Sequence, residues 1–238
     1  MAAVGRFSAR PVCARALILL LLCLAWMAGI EGISNLYVHW ANREINRWAT
    51  PGQRVRGEDW TRVMQNLTES LRYSPNNAWA LEAMGAFQLR RKRVATDPAL
   101  AAAAVRSANT YLHLTLMERP TNPIAWANLA LSEFHLNDLD EDLFAALRHA
   151  DELGPWEPEV QYLVLFVGLA AWDKLGADQR AATVRTLKRA MRQNAPKVTE
   201  LVKSFKRFDL LCDIKDEKLK MERPCGRLQK SEQRSNRP

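Results

Sequence analysis

Apolar residues along this chain recur with the period of a helix. Trp60, Val63, Met64, Leu67 and Leu71 follow one another at i, i+3, i+4, i+7 and i+11, which draws a continuous apolar stripe down one side of a helix and demands a second helix to cover it. From Glu58 onward Ala and Leu abound, runs of β-branched residues are absent, and Pro or Gly returns at intervals suited to helix ends. The pattern predicts an all-α chain. One stretch departs from it: Ala16 to Ile30 reads ALILLLLCLAWMAGI, fifteen residues without a charge.

That stretch follows Arg6, Arg10 and Arg15, a basic head before an apolar segment, as in a secretory leader or a signal anchor. Fifteen helical residues reach only about 22 Å, less than the roughly 30 Å of a bilayer core. The weakly polar continuation from Gly32 to Trp40 adds length, and Tyr37 and Trp40 suit a membrane interface. Cleavage is the competing reading, but no A-x-A site follows the apolar run, because Trp26, Met27 or Ile30 falls where a small residue is needed. Leu22 before Cys23 argues against lipid attachment. A retained anchor is expected: residues 1–15 as a cytoplasmic basic head, 16–38 as the transmembrane segment and 39–56 as a juxtamembrane linker. Arginine retention then puts the rest of the chain across the membrane, in the periplasm of a bacterial cell, as a single-pass inner-membrane protein.

Three strings repeat one theme: YSPNNAW from Tyr73, RPTNPIAW from Arg119 and LGPWEP from Leu153. Each closes one helix and opens the next. Pro75, Pro120, Pro155 and Pro196 lie 45, 35 and 41 residues apart, near the roughly 34-residue helix-turn-helix period. Residues 58–196 resemble the tetratricopeptide repeat. The best-matched unit has Trp126, Leu129 and Ala130, then Leu143, Leu147, Ala150 and Pro155; a degenerate earlier unit has Met84, Gly85, Ala108, Leu112 and Pro120, and a later one runs from Pro158 through Val184 to Pro196. The resemblance implies a short solenoid of degenerate helical hairpins over residues 57–206. Gly85, Ala108, Trp126, Leu129, Ala130, Leu143, Ala150 and Pro155 become its repeat-packing positions, with small residues where helices approach closely and proline at the corner. By the family's register, Trp79, Glu82, Arg90, Phe134, His135, Tyr162 and Phe166 would line a partner groove.

The net charge of +8 in 238 residues raises nucleic acid as a partner, but its distribution removes that reading. Residues 1–30 carry three arginines and no acid, residues 197–238 carry twelve Lys and Arg against seven Asp and Glu, and residues 31–196 are balanced at nineteen each. No nucleic-acid partner is expected, and residues 207–238 read as a basic, partly flexible tail.

Cys212 and Cys225, with twelve residues between them, have no second Cys or His nearby for zinc. They would form a disulfide if Pro224 and Gly226 turn the chain, and otherwise stand as two unrelated thiols. The sequence has no phosphate loop, no H-E-x-x-H and no G-x-S-x-G. His39, His113, His135 and His149 lie on separate segments. Asp138, Asp140 and Asp142 imitate the start of a calcium loop, but Leu143 and His149 occupy its sixth and twelfth positions, so helix capping is the expected role. Arg90 to Arg93 reads as a solvated helix end or an acidic partner's contact, and most of the eight tryptophans as core. No catalytic, cofactor-binding or metal-ligating residue is assigned.

The strings LGPWEP, RPTNPIAWANLAL from Arg119, GLAAWDKL from Gly168 and LLC ending at Cys212 together resemble the VpsP-type proteins of bacterial exopolysaccharide biosynthesis, which are N-terminally anchored and helical. That resemblance implies a noncatalytic accessory scaffold that binds a protein component of polysaccharide polymerisation or export. A general envelope-assembly scaffold fits the same features. A carbohydrate-active enzyme is the weaker alternative, because Glu82 and Glu133 form no recognisable acid/base pair.

Overall fold

The computed structural model describes residues 9–48 and 55–212, and all regular elements among them are helical. In order they are α1 (Ala9–Arg47), α2 (Gly57–Tyr73), α3 (Ala78–Val94), α4 (Pro98–Glu118), α5 (Pro123–Leu136), α6 (Glu141–Leu153), α7 (Pro158–Ala170), a 3-10 turn (Trp172–Lys174), α8 (Ala177–Ser204) and α9 (Phe208–Cys212). The chain divides into two compact units, residues 1–84 and 85–238.

In the first unit, α1 changes role along its length. Residues 14–29 are exposed throughout, Leu and Ile included, and the helix is long and apolar enough to cross a membrane. Beyond them Ser34, Val38, Ala41 and Ile45 are buried at i, i+4, i+7 and i+11, against α2 with its buried Val63, Leu67 and Ser70. Residues 39–47, expected as a linker, therefore continue the same helix. No Pro or Gly interrupts residues 33–48, and the stripe has a partner to bury it. For the same reason the lipid-like face stops short of residue 38 on the side that meets α2.

Polar groups fix this pairing. The Ser34 hydroxyl donates to the Ser70 carbonyl at 3.0 Å and lies 2.8 Å from the Ser70 hydroxyl. Asn77 Nδ2 donates to Ser34 Oγ at 2.8 Å and to Asn35 Oδ1 at 2.9 Å, while the Ser74 hydroxyl donates to Glu31 Oε1 at 2.6 Å. At the other end Trp48 and Trp60 pack with ring centres 4.5 Å apart, and Glu44 pairs with Arg47 at 3.1 Å and Arg62 at 3.8 Å.

The recurring proline strings form corners with one hydrogen-bond pattern. Ser74, Arg119 and Gly154 end their helices by donating back to Ser70, Thr115 and Ala150 at 3.0, 2.8 and 2.9 Å. Asn77, Asn122 and Glu157 then donate to Ser74, Arg119 and Gly154 at 3.1, 3.2 and 3.2 Å, and their carbonyls accept the first bonds of α3, α5 and α7. The Asn77 and Asn122 side chains cap the exposed amides of the new helices. Trp126 Nε1 and Gln161 Nε2, each six residues past the corner proline, donate to the carbonyls of Pro120 and Pro155 at 2.7 Å.

Pro196 was expected to make a fourth corner. It lies instead inside α8, which bends at Asn194 (φ −147°, ψ 70°) and continues. Asn194 Oδ1 accepts from the Lys197 amide at 3.2 Å, so the break is capped and restarted within a turn, and no loop follows.

In the second unit, successive helices pack in order and α5 also packs on α7. One core cluster joins Leu89 of α3, Ala108, Leu112 and Leu116 of α4, Leu129 and Ala130 of α5, and Ala146 of α6. A second joins Ala127, Ala150, Val160 and Val164. The last is built by α7, α8 and α9 around Leu165, Trp172, Leu187, Met191, Val202 and Leu211. Close approach sets the register: a Cβ on Gly85 would lie 2.8 Å from Leu112 Cγ, and one on Gly154 would lie 2.7 Å from Pro123 Cβ.

Candidate functional site

The residues proposed for repeat packing fall mostly in these clusters. Gly85, Ala108, Leu129, Ala130, Leu143 and Ala150 are buried, while Trp126 and Pro155 are half-buried. Trp126 packs its ring 4.7 Å from that of His149.

The groove positions divide between the two units. Trp79, 57% exposed, and half-buried Glu82 lie on the first turns of α3, in the first unit. Arg90 is exposed near the end of α3, Phe134 and His135 are half-buried on α5, and Tyr162 and Phe166 are half-buried on α7. Phe134, Tyr162 and Phe166 all pack against the C-terminal cluster. Lys197 Nζ stands 4.6 Å above the Tyr162 ring, and Phe205 meets Phe166 edge to face at 5.4 Å. Lys197 and Phe205 follow the Asn194 bend, so the bend lays the second half of α8 over the α7 part of the expected groove. On α5, Phe134 and His135 pack at 5.6 Å, and Lys92 Nζ is 3.3 Å from both His135 ring nitrogens.

Burial dominates the electrostatics here. It pushes His135 down to about 4, with the Lys92 ammonium adding to the effect, so the imidazole is neutral at pH 7. Burial and then Arg93 lower Lys92 as well. Glu133 moves the other way. It is 6% exposed, its Oε2 has no hydrogen-bond partner, and burial followed by Asp140, Asp142 and Asp138 raises it to about 7. Asp140 itself caps α6, accepting from the amides of Asp142 and Leu143 at 3.1 and 3.3 Å, the role expected of that acidic run. Among the described residues no group of three His, Cys, Asp or Glu has the arrangement to hold a metal ion.

A cavity of about 580 Å³ lined by α6, α7 and α8 was not foreseen from the residue pattern. Its wall is apolar at Phe144, Leu147, Val164 and Leu175, and its rim carries Arg148, Arg185 and Arg189 beside Asp151, Glu152 and Asp178. The Arg189 guanidinium pairs with Asp151, which also accepts from the Thr186 hydroxyl at 2.6 Å. Mixed charge of this kind has no fixed spacing, so no motif could have announced it. The polar lock of the first unit was more accessible: Ser34 occupies the same stripe as Val38, Ala41 and Ile45, where a polar residue calls for a partner.

Cys212 ends α9; Cys225, with the pairing proposed for it, lies outside the described residues, as does residues 213–238 of the basic tail. No protein-family model matches the chain, and a search of curated proteins finds no match.

Proposed function

We propose that the protein is a noncatalytic, membrane-anchored helical-repeat scaffold that binds a protein partner. The observation that carries this reading is the recurrence of one corner, with the same three backbone bonds, at residues 74–77, 119–122 and 154–157. A unit repeated in this way builds an extended surface from successive helices, the usual basis of peptide and protein binding in repeat proteins. The packing of α5 on α4, α6 and α7 supports a tetratricopeptide-like stack. The α5 end of the groove, with Arg90, Phe134 and His135, is the surface offered to the partner, because the second half of α8 covers Tyr162 and Phe166.

The anchor is the exposed apolar part of α1. The arginines before it favour an orientation with the repeat units in the periplasm of a bacterial cell. The VpsP-type resemblance directs the partner to a component of polysaccharide polymerisation or export.

Charge reversal of exposed positions tests this reading without touching the core. Arg90→Glu with Arg93→Glu in the native cell should reduce surface polysaccharide while protein level and melting temperature stay unchanged. Unaltered polysaccharide with an envelope defect of another kind would favour a general assembly scaffold. Turnover of an oligosaccharide by the purified protein would overturn the noncatalytic reading.

A further inference from the structure

We infer that the α2–α3 corner is a second membrane contact, resting on the lipid interface beside the point where α1 emerges. This rests on the reading of α1 as a membrane span. Ala14 to Glu31 is eighteen residues, about 27 Å of helix, within the roughly 17–25 residues that a membrane span needs. Glu31 is the first charged residue after Arg15, so it marks the outer boundary of the span.

Hydrogen bonds fix the corner at that level. Ser74 is bonded to Glu31 at 2.6 Å, and Asn77 to Ser34 and Asn35 at 2.8 and 2.9 Å. Residues 74–77 therefore lie within about one helical turn of the boundary along α1. The exposed side chains around them are those of an interface: Tyr73 at 40% exposure and Trp79 at 57%. Each couples an apolar ring to a polar tip, the combination enriched at headgroup depth. On α1 the exposed apolar surface continues through Ile33, Leu36 and Trp40, and Tyr37 stacks on Tyr73 at 5.9 Å, joining helix and corner. Arg72, exposed on the last turn of α2, suits lipid phosphates at the same depth.

The other end of the hairpin has the opposite character. There Arg56, Glu58, Arg62 and Arg47 are exposed and charged, and the tryptophans are turned onto each other. One end is built for lipid and the other for water. Trp79, read from the sequence as a groove residue, becomes an interfacial anchor.

Fluorophore-labelled full-length protein in phosphatidylethanolamine/phosphatidylglycerol vesicles tests this. Labels are carried on native Cys23, on Trp79→Cys, on Asn76→Cys as a second corner site, and on Glu58→Cys, with the other cysteines replaced by serine. Lipids brominated deep in the acyl chain should quench the label at 23. Lipids brominated near the headgroup should quench those at 76 and 79 by at least about twofold relative to 58, as for side chains buried to interfacial depth. If 23 is quenched but 76 and 79 behave like 58, the corner contact is wrong and the span stands. If 23 is not quenched, the span fails and the contact with it. Corner labels shielded from aqueous iodide but untouched by brominated lipid would mean a protein covers the corner, which also overturns the inference.

Discussion

The two units hold their helices together by different means. In the first, α1 and α2 are registered by hydrogen bonds among Ser34, Ser70 and Asn77, all buried. In the second, register comes from shape, with Gly85 and Ala108 beside Leu112, and Ala127 and Ala150 beside Val160. The difference follows from what each helix must also do. On the proposed reading of α1 as a membrane anchor, its apolar stretch is set by lipid, and apolarity alone does not distinguish one register from another when lipid chains are equally apolar. A satisfied polar cluster does, because any slip leaves its groups buried and unpaired. Helices that meet only protein can use the fit of large against small.

This contrast can be broken from either side. The largest effect is expected from Leu112→Ala, which opens a cavity against Gly85 and Ala108 and should cost about 2–5 kcal/mol. Hydrogen-exchange protection of the full chain in micelles should then weaken in the second unit while α1–α2 stays protected. Asn77→Ala removes the cap of α3 and both bonds to α1; a loss of about 2–3 kcal/mol is expected, with protection lost in α2 and in the part of α1 beyond residue 30. Equal loss in both units for either variant would mean that the two packings are not separate.

Glu133 gives an effect of opposite sign. Its carboxyl titrates at about 7 in the fold against an ordinary 4.5, so the folded chain binds the proton more tightly and stability falls as pH rises between those values. Glu133→Gln keeps the neutral form and should stabilise by on the order of 1–3 kcal/mol at pH 8, with little change at pH 4, as read by thermal unfolding at both pH values. His135 opposes this on the acid side. Its folded value of about 4 lies below the ordinary 6.5, so stability is lost as pH falls through that window. The smallest effect is Trp126→Phe, which removes the bond to the Pro120 carbonyl and trims the ring that packs on His149, and should cost about 0.5–1.5 kcal/mol.

The all-helical character and the corner positions were legible because proline acts locally: it cannot continue the preceding helix. Val63 and Leu67 are buried at the centre of the α2 stripe, as the period requires. Pro196 misled because a proline near the start of a restarted helix and one after a helix end look alike in sequence; the Asn194 cap decides between them. The continuation of α1 through residues 39–47 was missed because composition turns polar after Trp40 while the helix does not break. At the groove, Tyr162 and Phe166 were read from local register, and only the bend in α8 reveals that Lys197 and Phe205 cover them. Burial of Glu133 and the cavity beside Asp151 depend on several helices at once, which no single spacing encodes.

The scaffold claim is tested most directly by a photocrosslinking amino acid placed at Arg90 or Phe134 in the native cell, with Glu58 as the comparison site. Positions 90 and 134 should both yield the same discrete adduct with an envelope protein, absent from position 58, and the captured partner should belong to the polysaccharide machinery. No adduct from 90 and 134, or the same products from all three positions, would contradict a partner-binding face on α3 and α5.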